Sequence, residues 1–235
     1  MNVAEFAAAA ARARIEGGPI FVDLVVSDTE QAVLNLASIR NAAEFNCFTA
    51  IERVLAKLPL FLKENVGISD GNAIQTATRI ILSASQAVVM AAQKETAWVC
   101  VRSFLPTSEY DVPRWHCDGG FYEPFDSVQL KFCAMLKGAS TLFGALEPQT
   151  RGDFFTLFDR SITEDRRREG TLSLVKEGSI KTPTPGHGAF FVAGDDQRST
   201  VHSEPAIREP RLFFSVVPGT EDEIKSLATR WKRPI

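Results

Sequence analysis

Cysteine is scarce in this chain and nowhere clustered. The four residues Cys47, Cys100, Cys117 and Cys133 include no C-x-x-C pair, which excludes a disulfide framework and predicts free thiols in a reducing compartment, by default the cytoplasm. Long apolar runs are missing too, and with them any expected membrane span. The opening AEFAAAAARARIEGG is broken by Glu5, Arg12 and Arg14 and reads as an amphipathic helix rather than a leader. There is no excess of positive charge: the net charge is −3 and the pI about 5.7. That argues against a nucleic-acid partner, which calls for a broad basic face. The clusters Arg166-Arg167-Arg168 and Arg230-Trp231-Lys232-Arg233 read as a solvated turn and a tail. Tyrosine is rare, with 2 residues against 17 phenylalanines, so the core is expected to be dry and aromatic. Histidine is scarce: only His116, His187 and His202 are present.

The 235 residues are 45% hydrophobic and 23% charged, enough to build a large core without staples. The pattern changes near residue 97. Before it, helices are expected over Val3–Ile15, from Ser27-Asp28-Thr29-Glu30 through QAVLNLASIRNA, over Thr49–Lys63 with a kink at Pro59, and over Asn72–Lys94. A short strand is expected at Pro19–Val26. After it, AWVCVRSFL, VQLKFCAML, STLFGAL, FFTLFD, TLSLV, GAFFVAG and RLFFSVVPG read as short strands separated by Gly, Pro or Asp, with a turn at GDDQRS. Many short strands at close spacing point to a sandwich or barrel, here backed by helices. The expected division is a helical region 1–96 packing on a β core 97–218, with a helix or tail over 219–235.

The stretch RWHCDGG places His116 and Asp118 two positions apart. On an extended strand both face the same way and Cys117 faces the other. His202, in STVHSEP between two strands, is the better third partner. His187 lies among glycines and prolines and reads as a turn residue. Two imidazoles and one carboxylate form the facial triad of non-haem Fe(II) oxygenases, and a similar set suits catalytic zinc. Arg211 lies beyond His202 on a strand where Ser215 faces the same side. Its guanidinium fork matches a carboxylate.

These segments resemble the Fe(II)/2-oxoglutarate-dependent dioxygenases, in particular their prolyl-4-hydroxylase-like branch. WVCVRSFLPTSEYDVPRWHCDGG is similar to the branch's apolar strand, loop and H-x-D, and KGASTLF to its G-G-x-T-x-F strand. GHGAFFVAGDDQRSTVHSEPAIREPRLFFSV is similar to its distal histidine and following basic residue. The resemblance covers roughly Ala97 to Pro218 and implies an α+β chain whose core is a double-stranded β-helix (jelly roll, cupin-like). It implies Fe(II) held by His116, Asp118 and His202 as metal-binding and catalytic residues. It also implies 2-oxoglutarate as cosubstrate, bound by Arg211 with Ser215 and Thr141, and dioxygen as the second partner. Phe121 and Tyr122, just past the H-x-D, are expected on the substrate side. Arg102 reads first as a surface ion pair and second as a contact for a carboxylate, and Arg208 is the alternative to Arg211. A protein side chain or a small metabolite is the expected substrate. A non-catalytic jelly-roll binding module and a zinc-dependent hydrolase remain as alternatives. The latter lacks H-E-x-x-H.

Overall fold

Polar caps mark where the helices begin. The amides of Ala4 and Glu5 donate to the Asn2 side chain and start α1 (Val3–Glu16), which ends on Gly17 in the left-handed region (φ 69°). The strand β1 (Ile20–Asp23) follows. Ser27 and Glu30 satisfy each other's amides in a capping box that opens α2 (Asp28–Leu36). Next come β2 (Ala43–Thr49) and α3 (Ile51–Glu64). Asp70 caps α4 (Gly71–Ala92). The strands β3 (Thr96–Phe104), β4 (Gln129–Lys137) and β5 (Leu142–Phe143) lead to α5 (Arg151–Thr156) and α6 (Glu164–Leu174). The chain closes with β6 (His187–Ala193), β7 (His202–Ser203), β8 (Arg211–Gly219) and α7 (Glu221–Arg230). These elements come from a computed structural model that describes residues 1–194 and 197–233.

Six strands form one antiparallel sheet in the order β1-β6-β4-β8-β3-β2. A smaller sheet faces it: β5 pairs with β7, and single bridges add Lys181 beside Phe143 and His116 beside His202. Followed along the chain from β3, segments pass back and forth between the sheets, except that β5 and the Lys181 segment follow one another in the small one. β3, β4, β6 and β8 belong to the large one, and the His116 segment, β5, the Lys181 segment and β7 to the small one. This winding is a jelly roll, and β1 and β2 widen its large sheet at either edge.

Alternation of side chains divides the large sheet into two buried faces. Val99, Phe132, Phe190 and Phe214 point outward into one core with the apolar faces of α1, α3 and α4. Phe6 of α1 sits 5.7 Å from the ring of Phe132 and 5.6 Å from that of Phe190. Cys100, Lys131, Phe191 and Arg211 point inward between the sheets. One end of this interior is sealed by α7, whose Ile224 and Leu227 pack with Trp98 and Val217. The segment carrying α5 packs Phe154 against Trp115 and Val201, behind the small sheet.

The α+β class and the helical character of α1, α2, α3 and α4 are as the sequence predicts, and several details differ. FFTLFD is not a strand. Phe154, Phe155 and Phe158 cluster on one side of α5 and the turn after it. TLSLV is the last part of α6, which Thr163 caps and which begins in the charged run EDRRREG. STLFGAL contributes only the two residues of β5. The second helix stops at Leu36, and α3 continues through Pro59. AEFNCFT, which has no clear alternation, forms β2. Asp195 and Asp196 of the expected turn lie outside the described residues. Among the described residues the four cysteines form no disulfide, and no helix is long and apolar enough to cross a membrane.

Candidate metal centre

The bridge between the two strands of the small sheet brings the histidines together. His116 and His202 exchange backbone hydrogen bonds of 3.0 and 2.9 Å, which leaves their ring centres 4.3 Å apart. Each ring is oriented from behind: Nδ1 of His116 meets the carbonyl of Arg114 at 2.8 Å, and Nδ1 of His202 that of Thr200 at 3.0 Å. A carbonyl only accepts, so the proton sits on Nδ1 and each Nε2 presents its lone pair. Asp118 follows on the same face, its carbonyl accepting from the amide of Gly194. Its Oδ2 lies 3.5 Å from Nε2 of His202. One ligand atom from each of the three residues falls within 4.8 Å of the others. Cys117 points the opposite way, toward the carbonyl of Ser199 and the Trp115 cluster.

Lys131, which faces inward from β4, donates to Asp118 Oδ2 at 2.8 Å. Burial works to raise the Asp118 carboxyl, but Lys131 and then the two imidazoles override it and hold it well below the ordinary carboxylate range. Burial, followed by repulsion from His116, pushes His202 down to about 4. At neutral pH His202 is therefore uncharged, and Lys131 is the strong positive neighbour of Asp118. The result is one anionic carboxylate and one neutral imidazole, the protonation states that a divalent cation requires.

Deeper in the same cavity, which measures about 360 Å³, Arg211 is 2% exposed. Its Nε donates to the carbonyl of Ala139 at 3.0 Å and one terminal nitrogen to Thr141 Oγ1 at 3.4 Å. The guanidinium lies 5.2 Å from the ring centre of Phe104 and 5.1 Å from that of Phe213. Burial lowers Arg211 to about 10, so it stays charged. Among the described residues no carboxylate forms an ion pair with it. Ser215 stands on the same face of β8, in register with both Cys100 and Cys133. Those thiols are pushed up to about 11 by burial, which makes them inert lining.

The remaining sequence candidates divide. Phe121 lines the cavity and is buried. Tyr122 turns away, its hydroxyl donating to the carbonyl of Pro218 at 2.9 Å. Arg102 lines the cavity mouth while paired with Glu44 at 2.8 Å. Arg208 is exposed beside Asp111. His187 is tied to Thr184 at 3.0 Å, at the start of β6. Sequence reasoning passed over Lys131, Trp98 and Trp231, all of which line the cavity. The signal for Lys131 was present: a lysine between Leu130 and Phe132 in a strand otherwise fit for burial.

A jelly roll holding a partly buried cluster of two histidines and an aspartate beside an arginine that has no ion pair among the described residues is the class that fold and site define. No protein-family model and no curated protein matches the chain. Solved structures similar to it include a Pseudomonas putida prolyl-4-hydroxylase (12% identity, 92% of this chain and 98% of that one, TM-score 0.46). Another is SnoK, a non-heme alpha-ketoglutarate-dependent carbocyclase from nogalamycin biosynthesis (13%, 88% and 81%, 0.45). A third is a Trichoplax adhaerens prolyl hydroxylase with a hypoxia-inducible-factor peptide (9%, 95% and 93%, 0.41). The jelly-roll assignment itself stands on the strand order described above.

Proposed function

We propose that this chain is a non-haem Fe(II)- and 2-oxoglutarate-dependent oxygenase, acting as a hydroxylase. The observation that carries this reading is the pairing of two features in one cavity. His116, Asp118 and His202 converge as a two-histidine, one-carboxylate set, and the cation of Arg211 is buried beyond them without an acid. An uncompensated buried charge is expensive, so the cavity favours a ligand with a carboxylate at its far end. The donor set fits Fe(II): three ligands from one side leave the opposite positions open. Bound there, Fe(II) with 2-oxoglutarate and dioxygen supplies oxidation of an unactivated C–H bond, with succinate and CO2 as the coproducts.

The chain's own residues contribute placement and dryness. The carbonyls of Arg114 and Thr200 fix both imidazoles in the tautomer that offers Nε2. Lys131 keeps Asp118 ionised. Arg211, steadied by the Ala139 carbonyl and the Thr141 hydroxyl, offers its remaining N–H groups to the distal carboxylate, with Ser215 beside it. Phe104, Phe191 and Phe213 exclude water from the interior. A small metabolite or a protein side chain is the substrate, and the thiols suit a reducing compartment such as the cytoplasm.

The test is anaerobic addition of Fe(II) and then 2-oxoglutarate to the apoprotein. A weak visible charge-transfer band from the chelate is the expected result. Iron binding without a band removes 2-oxoglutarate from the reading, and absence of metal binding removes the oxygenase. The variants His116→Ala and Asp118→Ala are expected to lose iron.

A further inference from the structure

The floor of the cavity carries a lysine and an aromatic wall that cosubstrate binding does not use. Lys131 Nζ lies 5.7 Å from the ring centres of Phe121 and Phe191. It stands one residue beyond the Phe132–Val216 pair, level with Val217, whose own partner on β3 is Trp98. Two strand spacings, ~10 Å, therefore separate the backbones of Lys131 and Trp98 across the floor. Trp98 is fixed in place. Its indole N–H donates to Asn46 at 2.9 Å, and its ring stacks flat on Phe48. Trp231, just past α7, meets it edge-on with ring centres 4.6 Å apart, and is 38% exposed at the rim. Phe121 completes the wall at 6.0 Å from Trp98. Arg230 ties this rim to the loop after Asp118 by donating to the carbonyls of Gly120 and Phe121.

The charges around the cavity leave a remainder. Arg102 and Arg233 share Glu44, while Glu109 and Glu204 share Arg114, so these six groups cancel. Asp118 offsets one of the two inner cations, Lys131 and Arg211. A divalent metal and a dianionic oxo acid offset each other. One positive charge is left over inside the cavity, and a third ligand that brings a single negative charge relieves it.

Resting on the oxygenase reading, we propose that the substrate is a small aromatic monoanion whose ring lies against Trp98, Phe121 and Trp231 and whose carboxylate is held by Lys131. The spacing across the floor suits one ring and a short side chain. Fe(II) and 2-oxoglutarate take up part of the cavity of about 360 Å³, which is already at the small end of ligand sites, and the space that remains favours a metabolite over a polypeptide segment.

The experiment is an anaerobic titration followed by tryptophan fluorescence, since two of the three tryptophans stand at the site. The protein carries Fe(II) and 2-oxoglutarate, and the probes are 3-phenylpropanoate, its primary amide, and hexanoate. The acid is expected to bind roughly tenfold or more tightly than the amide, the worth of a charge-assisted contact, and more tightly than hexanoate. Lys131→Met should erase the preference of acid over amide, and Lys131→Arg should restore it. Trp231→Leu should weaken the aryl acid and leave hexanoate unchanged. An amide or a hexanoate that binds as tightly as the aryl acid would overturn the proposal. Failure of the oxygenase reading shows separately, as a missing chelate band, and the fluorescence preference is read whether or not that band forms.

Discussion

At the residue scale the site is a small set of charges whose balance is set by burial. Arg211 illustrates the consequence for binding. Its fork is the one buried cation among the described residues of the cavity without an acidic partner, so Arg211→Ala should spare iron and raise the 2-oxoglutarate requirement roughly 10- to 100-fold, the loss of a charged, bidentate contact. The concentration dependence of the chelate band measures it directly. An unchanged requirement would remove Arg211 from cosubstrate binding even with the metal site intact. His202 illustrates the consequence for stability. Its value in the folded protein is about 4 against an ordinary 6.5, so the unfolded chain takes up the proton first as pH falls. The stabilisation is complete above the higher value, is lost progressively below it, and is gone near pH 4. For the metal-free protein this amounts to about 3 kcal/mol. Urea unfolding at stepwise pH should show that fall, and His202→Leu should flatten the curve over the same window. Asp118, depressed below its ordinary value, adds its own loss at still lower pH in the same direction.

At the element scale the strands that build the site tolerate little change. Gly188 of β6 faces Phe132 so closely that an added Cβ would meet the ring at 2.1 Å. Phe132 cannot step aside, because it is fully buried among Phe6, Phe190 and Phe214. Gly188→Ala should therefore destabilise the protein by about 2 kcal/mol, read as a lower urea midpoint with an unchanged slope. The same elements show what was legible in sequence. Long segments with strong caps, α1 and α4, could be read because period and N-cap agree. The strands β3, β4, β6 and β8 could be read because both of their faces are buried and the runs are almost wholly apolar. FFTLFD and TLSLV were misread for the same reason: a short apolar run has no period of its own, and packing behind the small sheet decided for helix. β2 was hidden because its inward side chains, Glu44 and Asn46, serve Arg102 and Trp98 at the cavity mouth rather than an apolar core. The H-x-D pair could be found by alternation along a strand, and the distal histidine by its place between two strands. Lys131 left only the signal of a lone lysine in an apolar strand, and Trp231 left none, because what places them in the cavity is strand register and the position of α7, both of which are tertiary.

At the scale of the whole molecule the question is whether the chain folds as one unit or two. Its character changes near residue 97, and the reading we favour keeps a helical region, a jelly-roll core and a C-terminal helix as successive parts. Their cores, however, are not separate. β1 pairs along its length with β6, and β2 with β3, so strands from the helical part complete the large sheet. The outer face of that sheet is covered by α1, α2, α3 and α4, and Phe6 inserts between Phe132 and Phe190. Exposing a sheet face of this size to water outweighs the few kcal/mol by which domains are stable. One cooperative transition is therefore expected. Far-UV circular dichroism, dominated by the helices, and fluorescence from Trp98 and Trp115, inside the jelly roll, should report the same urea midpoint. Phe6→Ala should lower both midpoints together, with a loss of about 3–5 kcal/mol. If the helical signal were lost first and the fluorescence persisted, the helices would be an appendage. His116, Asp118 and His202, which all lie in the jelly roll, would then stay in place without them. With a single transition, binding of Fe(II) and 2-oxoglutarate between the sheets should raise the stability of α1 as much as that of β8, because a ligand that binds only the folded state stabilises the whole unit.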